Sequence, residues 1–544
     1  MKKFNYLLLT ILVSLLPMLI ILVNPGLIHT HDGLVHLPRI AAWFKALKDG
    51  QIPPRWAGEI NYGYGTPILN FMYPWPYFLA SAFLFFRLGL VWSFKLSLTL
   101  SFIASGFFMF IFARNFLKDV KQALLVCFLY QFAPFHLVDV IWRGAIGEAW
   151  TYAFIPLALL GLWKIFSGVK KRGIVLTAVA VDLLILSHNS VSLSFFGVLC
   201  FFILFFGKKF PDYLLGALSL FWGLCLAAFY WLPALWEKKF TYGDLFMKNL
   251  YLDYFPTLKQ LFWPNFLNKP WGQVGHVAVQ IGFFQLAALI MALILLINNK
   301  LRAKEKKTII FCLAVFGLSL FLILPISIPL WKNIALLRQF QFSWRMLSLV
   351  TLTTAITGFA ILGLPKVKKF YWLLAILIVA SSISFWLPQE GFDKIDESYY
   401  WNFPLNTTYF GEADVIWSAG PATEYPKERY SVISGRGLIK EQIRKSNLHR
   451  LQVSAQTPVS IVDRTPFFPG WRVFVDGKNT PVQFQDANQR GLIVFEVPKG
   501  EHQVEIKFGR TKDRIIAETI TLISLVVLAV YLLKLKAWRK SFFR

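Results

Sequence analysis

Tyr6-Leu-Leu-Leu-Thr-Ile-Leu-Val-Ser-Leu-Leu-Pro-Met-Leu-Ile-Ile-Leu-Val23 is an apolar run of 18 residues, and His29-Thr-His-Asp-Gly-Leu-Val-His-Leu-Pro-Arg39 follows it almost at once. As a helix the run is roughly 27 Å long, close to the thickness of a bilayer's hydrocarbon core. Lys2 and Lys3 precede it, no small-residue cleavage pattern follows, and Asn24-Pro-Gly26 closes it. It reads as an uncleaved first span with its amino end inside. The His29–Arg39 stretch then falls on the outer face. It holds a carboxylate, an arginine and three histidines in a chain with only eight histidines and 29 acids. Ionisable groups held at a membrane boundary are costly, which makes them a functional-site candidate.

Outward from this stretch the same apolar signal repeats. Runs at 68–86, 96–113, 120–138, 150–166, 174–188, 190–206, 213–232, 278–297, 308–330, 345–364, 370–387 and 515–533 bring the total to 13. The 544 residues are 56% hydrophobic, with 54 Phe and 20 Trp, more apolar surface than a soluble protein requires. The expectation is an all-α polytopic membrane protein with about 12–13 transmembrane segments. Lys/Arg clusters at 164–172, 208–209, 300–307, 366–369 and after Leu533 mark the inner side. Two inner termini require an even number of crossings. The run at 68–86, interrupted by Pro74 and Pro76 after Pro67, is then the one expected to bend or re-enter.

Between 388 and 512 hydropathy drops and strand alternation takes over. Val504, Ile506 and Phe508 alternate with polar neighbours, and Trp471-Arg-Val-Phe-Val-Asp-Gly-Lys478 reads as a strand entering an Asp-Gly hairpin. The chain thus divides into a helical membrane domain over 1–387 with a first outer loop at 24–67, an extracytoplasmic all-β, sandwich-like domain over 388–512, and a last helix with a basic cytoplasmic tail over 513–544. The formal charge is +27, yet 390–512 holds 16 bases and 15 acids, so the excess belongs to the membrane part. It lies in short loops between spans, which fits anionic lipid and excludes nucleic acid as a partner. The four cysteines all lie in apolar runs, with neither metal nor disulfide spacing.

Asp32 is the candidate base: a carboxylate above an apolar slot can take a proton from an acceptor hydroxyl. The alternative is that it caps the amphipathic helix expected over 35–48, as Asp often does. Asp32, His36 and Arg39 share a face if that helix extends back. His29, His31 and His36 can offer ligands to a divalent metal ion with Asp32, or serve as interfacial residues. Arg143 and Glu148, five residues apart in Trp142-Arg-Gly-Ala-Ile-Gly-Glu148, form either a saddle for a sugar or phosphate or a local ion pair. His188 in Ser187-His-Asn-Ser190 is a site residue or a turn residue. Arg345, at the end of Gln339-Phe-Gln-Phe-Ser-Trp-Arg345, is a phosphate ligand or an interfacial anchor.

His31-Asp-Gly-Leu-Val-His-Leu-Pro-Arg39, Gly50-Gln-Ile-Pro-Pro-Arg-Trp56, Gly63-Tyr-Gly-Thr-Pro67, Arg143-Gly-Ala-Ile-Gly-Glu148, Phe342-Ser-Trp-Arg345 and Phe468-Pro-Gly-Trp-Arg-Val-Phe-Val-Asp-Gly-Lys478 occur in this order. Together they resemble the bacterial YfhO-like membrane proteins, a group also labelled 6-pyruvoyl-tetrahydropterin-synthase-related. The resemblance implies a C-type (GT-C) glycosyltransferase: a helical bundle with a catalytic acidic residue in its first outer loop. Such an enzyme moves a sugar from a polyprenyl-phosphate-linked donor to an extracytoplasmic glycan, lipid or protein acceptor, in the cell membrane and on its outer side. It further implies Asp32 as the base, with Arg143, Glu148 and Arg345 lining the site; His36, Arg39, Arg55 and His188 are further candidate substrate-binding residues beside them. The other readings of the same features are a transporter or flippase of lipid-linked sugars and a non-enzymatic envelope-assembly protein.

Overall fold

The computed structural model describes residues 2–246, 248–263, 273–274, 277–363, 365–408 and 411–541. Every apolar run named above folds as helix in whole or in part. Seven helices have the length and apolarity of a span: Asn5–Val23, Leu90–Leu117, Ile146–Phe166, Asn189–Phe206, Ala303–Ile323, Ser343–Gly363 and Lys512–Lys534. Two bent pairs raise the number to nine: Val120–Gln131 with Pro134–Trp142, and Phe210–Leu226 with Ala228–Phe240. The remaining runs form shorter helices, among them Lys170–Ile185, Phe283–Ile297 and Tyr371–Phe385. Full-length spans among the described residues are therefore fewer than the apolar runs. Hydropathy registers apolar residues and does not register where a helix breaks or stops short. Ser343–Gly363 is 94% buried and forms the centre of the bundle.

The run at 68–86 breaks at Met72 and Tyr73 into Ile68–Phe71 and Pro74–Phe85. Twelve helical residues span roughly 18 Å, too little to cross a bilayer. The amphipathic helix runs over Gly33–Lys48 and buries Leu37, Ile40 and Trp43. It is covered from outside, since Lys45 donates to the Trp401 carbonyl at 2.7 Å. An interfacial helix would lie open to lipid headgroups; this one is packed between the membrane domain and a strap.

That strap is the first part of the outer segment. Phe392–Asp393 pairs antiparallel with Leu27–Ile28, directly after the first span. Glu397 accepts from the backbone N–H groups of Leu90 and Val91 at 2.8 and 2.9 Å, placing a carboxylate at the amino end of helix Leu90–Leu117. The β domain proper follows over residues 430–508. Its five-stranded sheet has the order 478–480, 471–475, 500–508, 448–455, 437–445. A three-stranded sheet, 492–497, 459–466 and 430–434, completes a sandwich of antiparallel neighbours. The alternating Val504, Ile506 and Phe508 all point into its core.

The loop that follows helix Gly33–Lys48 plugs this core. Trp56 is 1% exposed and lies 5.5 Å from Trp471 and 5.7 Å from Phe508 between ring centroids. It is therefore a packing residue. Gly65 has φ +85°, and a Cβ there would stand 2.6 Å from the Trp56 indole, so glycine is required beneath the ring. Gln51 donates to the Trp56 carbonyl and to Ser446, each at 2.9 Å, and Asp49 accepts the Ser446 N–H at 2.7 Å.

One carboxylate in this seam is badly placed for its charge. Asp414 is 6% exposed; one oxygen accepts from Asn406 at 2.8 Å and the other has no hydrogen-bond partner among the described residues. Burial pushes its pKa up to about 6. The unfolded chain releases this proton near pH 4, so the fold loses stability as pH rises from about 4 to about 6 and stays level above. Asp414→Asn, which keeps the acceptor for Asn406, is expected to stabilise the protein at pH 7 by about 1–2 kcal/mol. Thermal unfolding of both proteins at pH 4.5 and 7 checks this: the variant gains more at the higher pH.

Candidate functional site

Asp32 stands where helix Gly33–Lys48 begins. Its carbonyl accepts from Val35 and His36 at 3.1 and 3.0 Å, so the helical turn reaches back to it. Its side chain makes no capping bond. The capping reading therefore fails. The carboxylate instead faces Arg143, Oδ2 to Nη2 3.6 Å, with 31% of the side chain exposed. Two backbone bonds, His31 N–H to Trp142 O at 3.2 Å and Asp32 N–H to Arg143 O at 2.9 Å, hold the first and second outer loops edge to edge.

Arg143 follows a π turn, Val138–Trp142, closed by its own N–H bond to the Val138 carbonyl at 2.8 Å. The guanidinium lies over the Trp344 ring at 4.8 Å. Its Nη1 is 3.0 Å from Glu148 Oε1 and 2.5 Å from Asp139 Oδ1. Glu148 sits in the first turn of helix Ile146–Phe166, where the exposed N–H groups also favour an anion. Its Oε1 is shared further with Arg345 Nε at 3.0 Å and His188 Nε2 at 3.6 Å. Its Oε2 has no hydrogen-bond partner among the described residues. Arg345 is steadied by the Phe340 carbonyl at 2.9 Å and the Gln341 side chain at 2.6 Å. Three segments that are far apart in sequence thus meet at one carboxylate oxygen, and Asp32 joins them through Arg143.

Charge and burial are balanced here. Arg143, Glu148, Arg345 and His188 are all buried, whereas Asp32 sits at the rim. Burial works against the charge on Arg143, but Glu148, Asp139 and Asp32 together hold its pKa well above the usual arginine range. Burial pushes His188 down to about 3 and His36 well below its ordinary value, with the neighbouring arginines adding to both shifts. Both imidazoles are neutral near pH 7. The site therefore presents fixed cations, one rim carboxylate and neutral hydrogen-bonding rings. That set can steady a leaving phosphate and take a proton.

The packing is tight. A Cβ on Gly147 would stand 2.4 Å from the Tyr73 ring and 2.5 Å from the Ser187 carbonyl oxygen. Gly147→Ala is expected to cost about 1–3 kcal/mol by overpacking. It should also part His188 from Glu148, which unfolding midpoints together with activity would report.

Other expected residues are placed differently. His36 bonds Tyr77 OH through Nδ1 at 2.8 Å, on the same helix face as Asp32. Arg39 shares that face but turns to Thr407 of the strap, with Nε to Oγ1 3.2 Å. Arg55 does not join the site. It bonds Asn70 at 2.7 Å and pairs with Glu518 of the last helix at 3.2 Å. Asn70 in turn bonds Glu237, which Arg514 also holds. Arg55 thus belongs to a buried network tying the last helix to the first outer loop. Of the two readings of the histidines, a metal cluster is not what they form here. His29 turns to Glu390 and Asp393, 3.0 Å from each, while His36 faces Tyr77. Among the described residues no three His, Cys, Asp or Glu side chains are placed to hold a metal ion. The residues present do not fit that group. Asp139 and Tyr152, by contrast, are site residues that composition passes over; the one signal was an Asp four positions before Arg143.

Residues 69–390 match the family described as 6-pyruvoyl-tetrahydropterin synthase related domain, membrane protein. An uncharacterized protein of Lactococcus lactis subsp. cremoris (strain MG1363) is 25% identical over 220 residues, covering 38% of this chain and 36% of that protein. Among solved structures, the mycobacterial arabinofuranosyltransferase AftD is 16% identical over 72% of this chain and 28% of its own, with a TM-score of 0.45. The Archaeoglobus fulgidus oligosaccharyltransferase in its apo form is 13% identical over 78% of this chain and 62% of its own, with a TM-score of 0.48.

Proposed function

From the premise that the chain belongs to the 6-pyruvoyl-tetrahydropterin synthase related family of membrane proteins, we propose that it is a C-type membrane glycosyltransferase. It moves a sugar from a polyprenyl-phosphate-linked donor to an extracytoplasmic acceptor, which is a glycan, lipid or protein of the envelope. The observation that carries this reading is Asp32 at the rim, 3.6 Å from Arg143, with Arg345 bound to the same Glu148 oxygen.

Asp32 accepts the proton of the acceptor hydroxyl as its oxygen bonds to the anomeric carbon. The bond from that carbon to the phosphate oxygen breaks, and the lipid phosphate departs with the electron pair. Arg143, held in a planar fork with one edge toward Asp32, meets the charge that develops on that oxygen. A phosphate leaves without a protonated acid beside it, so one carboxylate suffices where glycosidases use two. His36 and His188, both neutral, supply hydrogen bonds without competing for the proton.

Purified protein in nanodiscs, given a panel of polyprenyl-phosphate sugars and envelope acceptors, should release polyprenyl phosphate in step with a glycosylated product. Movement of labelled lipid-linked sugar across reconstituted vesicles with no product would instead establish transport.

A further inference from the structure

Asp139 is fully buried, and a buried carboxylate is retained only where partners compensate it. It has two partners on its two oxygens. Oδ1 is 2.5 Å from Arg143 Nη1, and Oδ2 accepts from Tyr152 OH at 3.0 Å. With both oxygens taken, the carboxylate cannot turn. Tyr152 is itself fixed: Tyr130 OH donates to its carbonyl at 2.9 Å, and the His136 ring stacks on its ring at 4.0 Å. The turn that carries Asp139 is π-helical, a form that in helices often marks a functional position.

The consequence falls on Arg143. A guanidinium is a rigid plane with five donors. Here Asp139 and Glu148 occupy Nη1, and Trp344 covers one face. Nη2 takes neither of these and lies 3.6 Å from Asp32 Oδ2. We propose that Asp139 and Tyr152 are positioning residues that fix the Arg143 plane, so that Nη2 and not Nη1 is presented beside Asp32 to the departing phosphate. This rests on the transferase reading, but the orientation of Arg143 can be measured without it.

The test uses the full chain in nanodiscs and three variants: Asp139→Ala, Asp139→Asn and Tyr152→Phe. Steady-state transfer is one readout. Asp139→Ala should lower kcat about tenfold or more with KM for the lipid-linked donor little changed, because Arg143 acts on charge that develops in the transition state. Asp139→Asn, whose one oxygen keeps the bond from Arg143 while its amide donates to the Tyr152 hydroxyl oxygen, should recover most of the rate. The second readout is phenylglyoxal labelling of Arg143, followed by peptide mass spectrometry, which needs no activity. Arg143 should be protected in the wild type and labelled several-fold faster in Asp139→Ala and Tyr152→Phe, with Arg345 unchanged. Equal labelling of Arg143 in all four proteins, or wild-type kcat in Asp139→Ala, overturns the proposal. Arg143 and Arg345 rising together, with a fall in unfolding midpoint, overturns it in favour of a merely structural role. A wild type that transfers no sugar while Asp139→Ala still exposes Arg143 overturns the transferase reading and leaves the positioning intact.

Discussion

Asp32→Asn is expected to lower transfer by about 10²–10⁴-fold, the contribution of a positioned general base, and to leave the fold intact. Asn has the same shape, and the Asp32 side chain takes no part in capping its helix, so no structural bond of that kind is lost. The remaining contact, 3.6 Å to Arg143, is at the rim and partly in water, where an ion pair contributes about 1 kcal/mol or less to stability. The measurement is turnover with a lipid-linked donor beside thermal unfolding in the same nanodiscs. Transfer at the wild-type rate by Asp32→Asn sinks the assignment. Loss of folding together with activity would make Asp32 structural.

The second large effect is on stability. Glu148→Ala is expected to destabilise the protein by about 3–5 kcal/mol, the usual result of removing one partner from a buried ion network. Glu148 Oε1 lies 3.0 Å from both Arg143 and Arg345, and each arginine is nearly buried. Without the carboxylate two like charges face one another inside the protein, and only Asp139 and the rim carboxylate of Asp32 are left to compensate Arg143. Glu148→Gln keeps the shape and one acceptor but not the charge, and should fall between. Unfolding midpoints of the two variants decide this. A Glu148→Ala protein as stable as wild type would mean that the network is not the support it is taken for.

Much of the site was legible in the chain because polar residues stand out against an apolar background. Asp32, Arg143, Glu148, His188 and Arg345 lie at the ends of apolar runs or in the loops between them, where a charge needs a reason, and all five meet in one place. Arg55 stood out for the same reason and belongs elsewhere, since its partner Glu518 is contributed by the last helix. Asp139 was less visible because it sits at the end of an apolar run, beside hydrophobic neighbours, and its role depends on a π turn that no periodicity announces. The histidines looked like ligands by proximity in sequence. Successive residues at a helix entry point in different directions, and His29 and His36 diverge accordingly.

Length, apolar runs and strand alternation by themselves determined a helical membrane protein with an all-β domain near its C-terminus. The reason is that bilayer thickness and the two-residue strand repeat are local constraints that each segment must meet alone. Which helices reach full span length, which loop's tryptophan fills the sandwich, and which two arginines share a single carboxylate oxygen were decided only in the tertiary structure. Those outcomes depend on side chains from distant segments competing for the same buried space, and no local pattern records which of them wins.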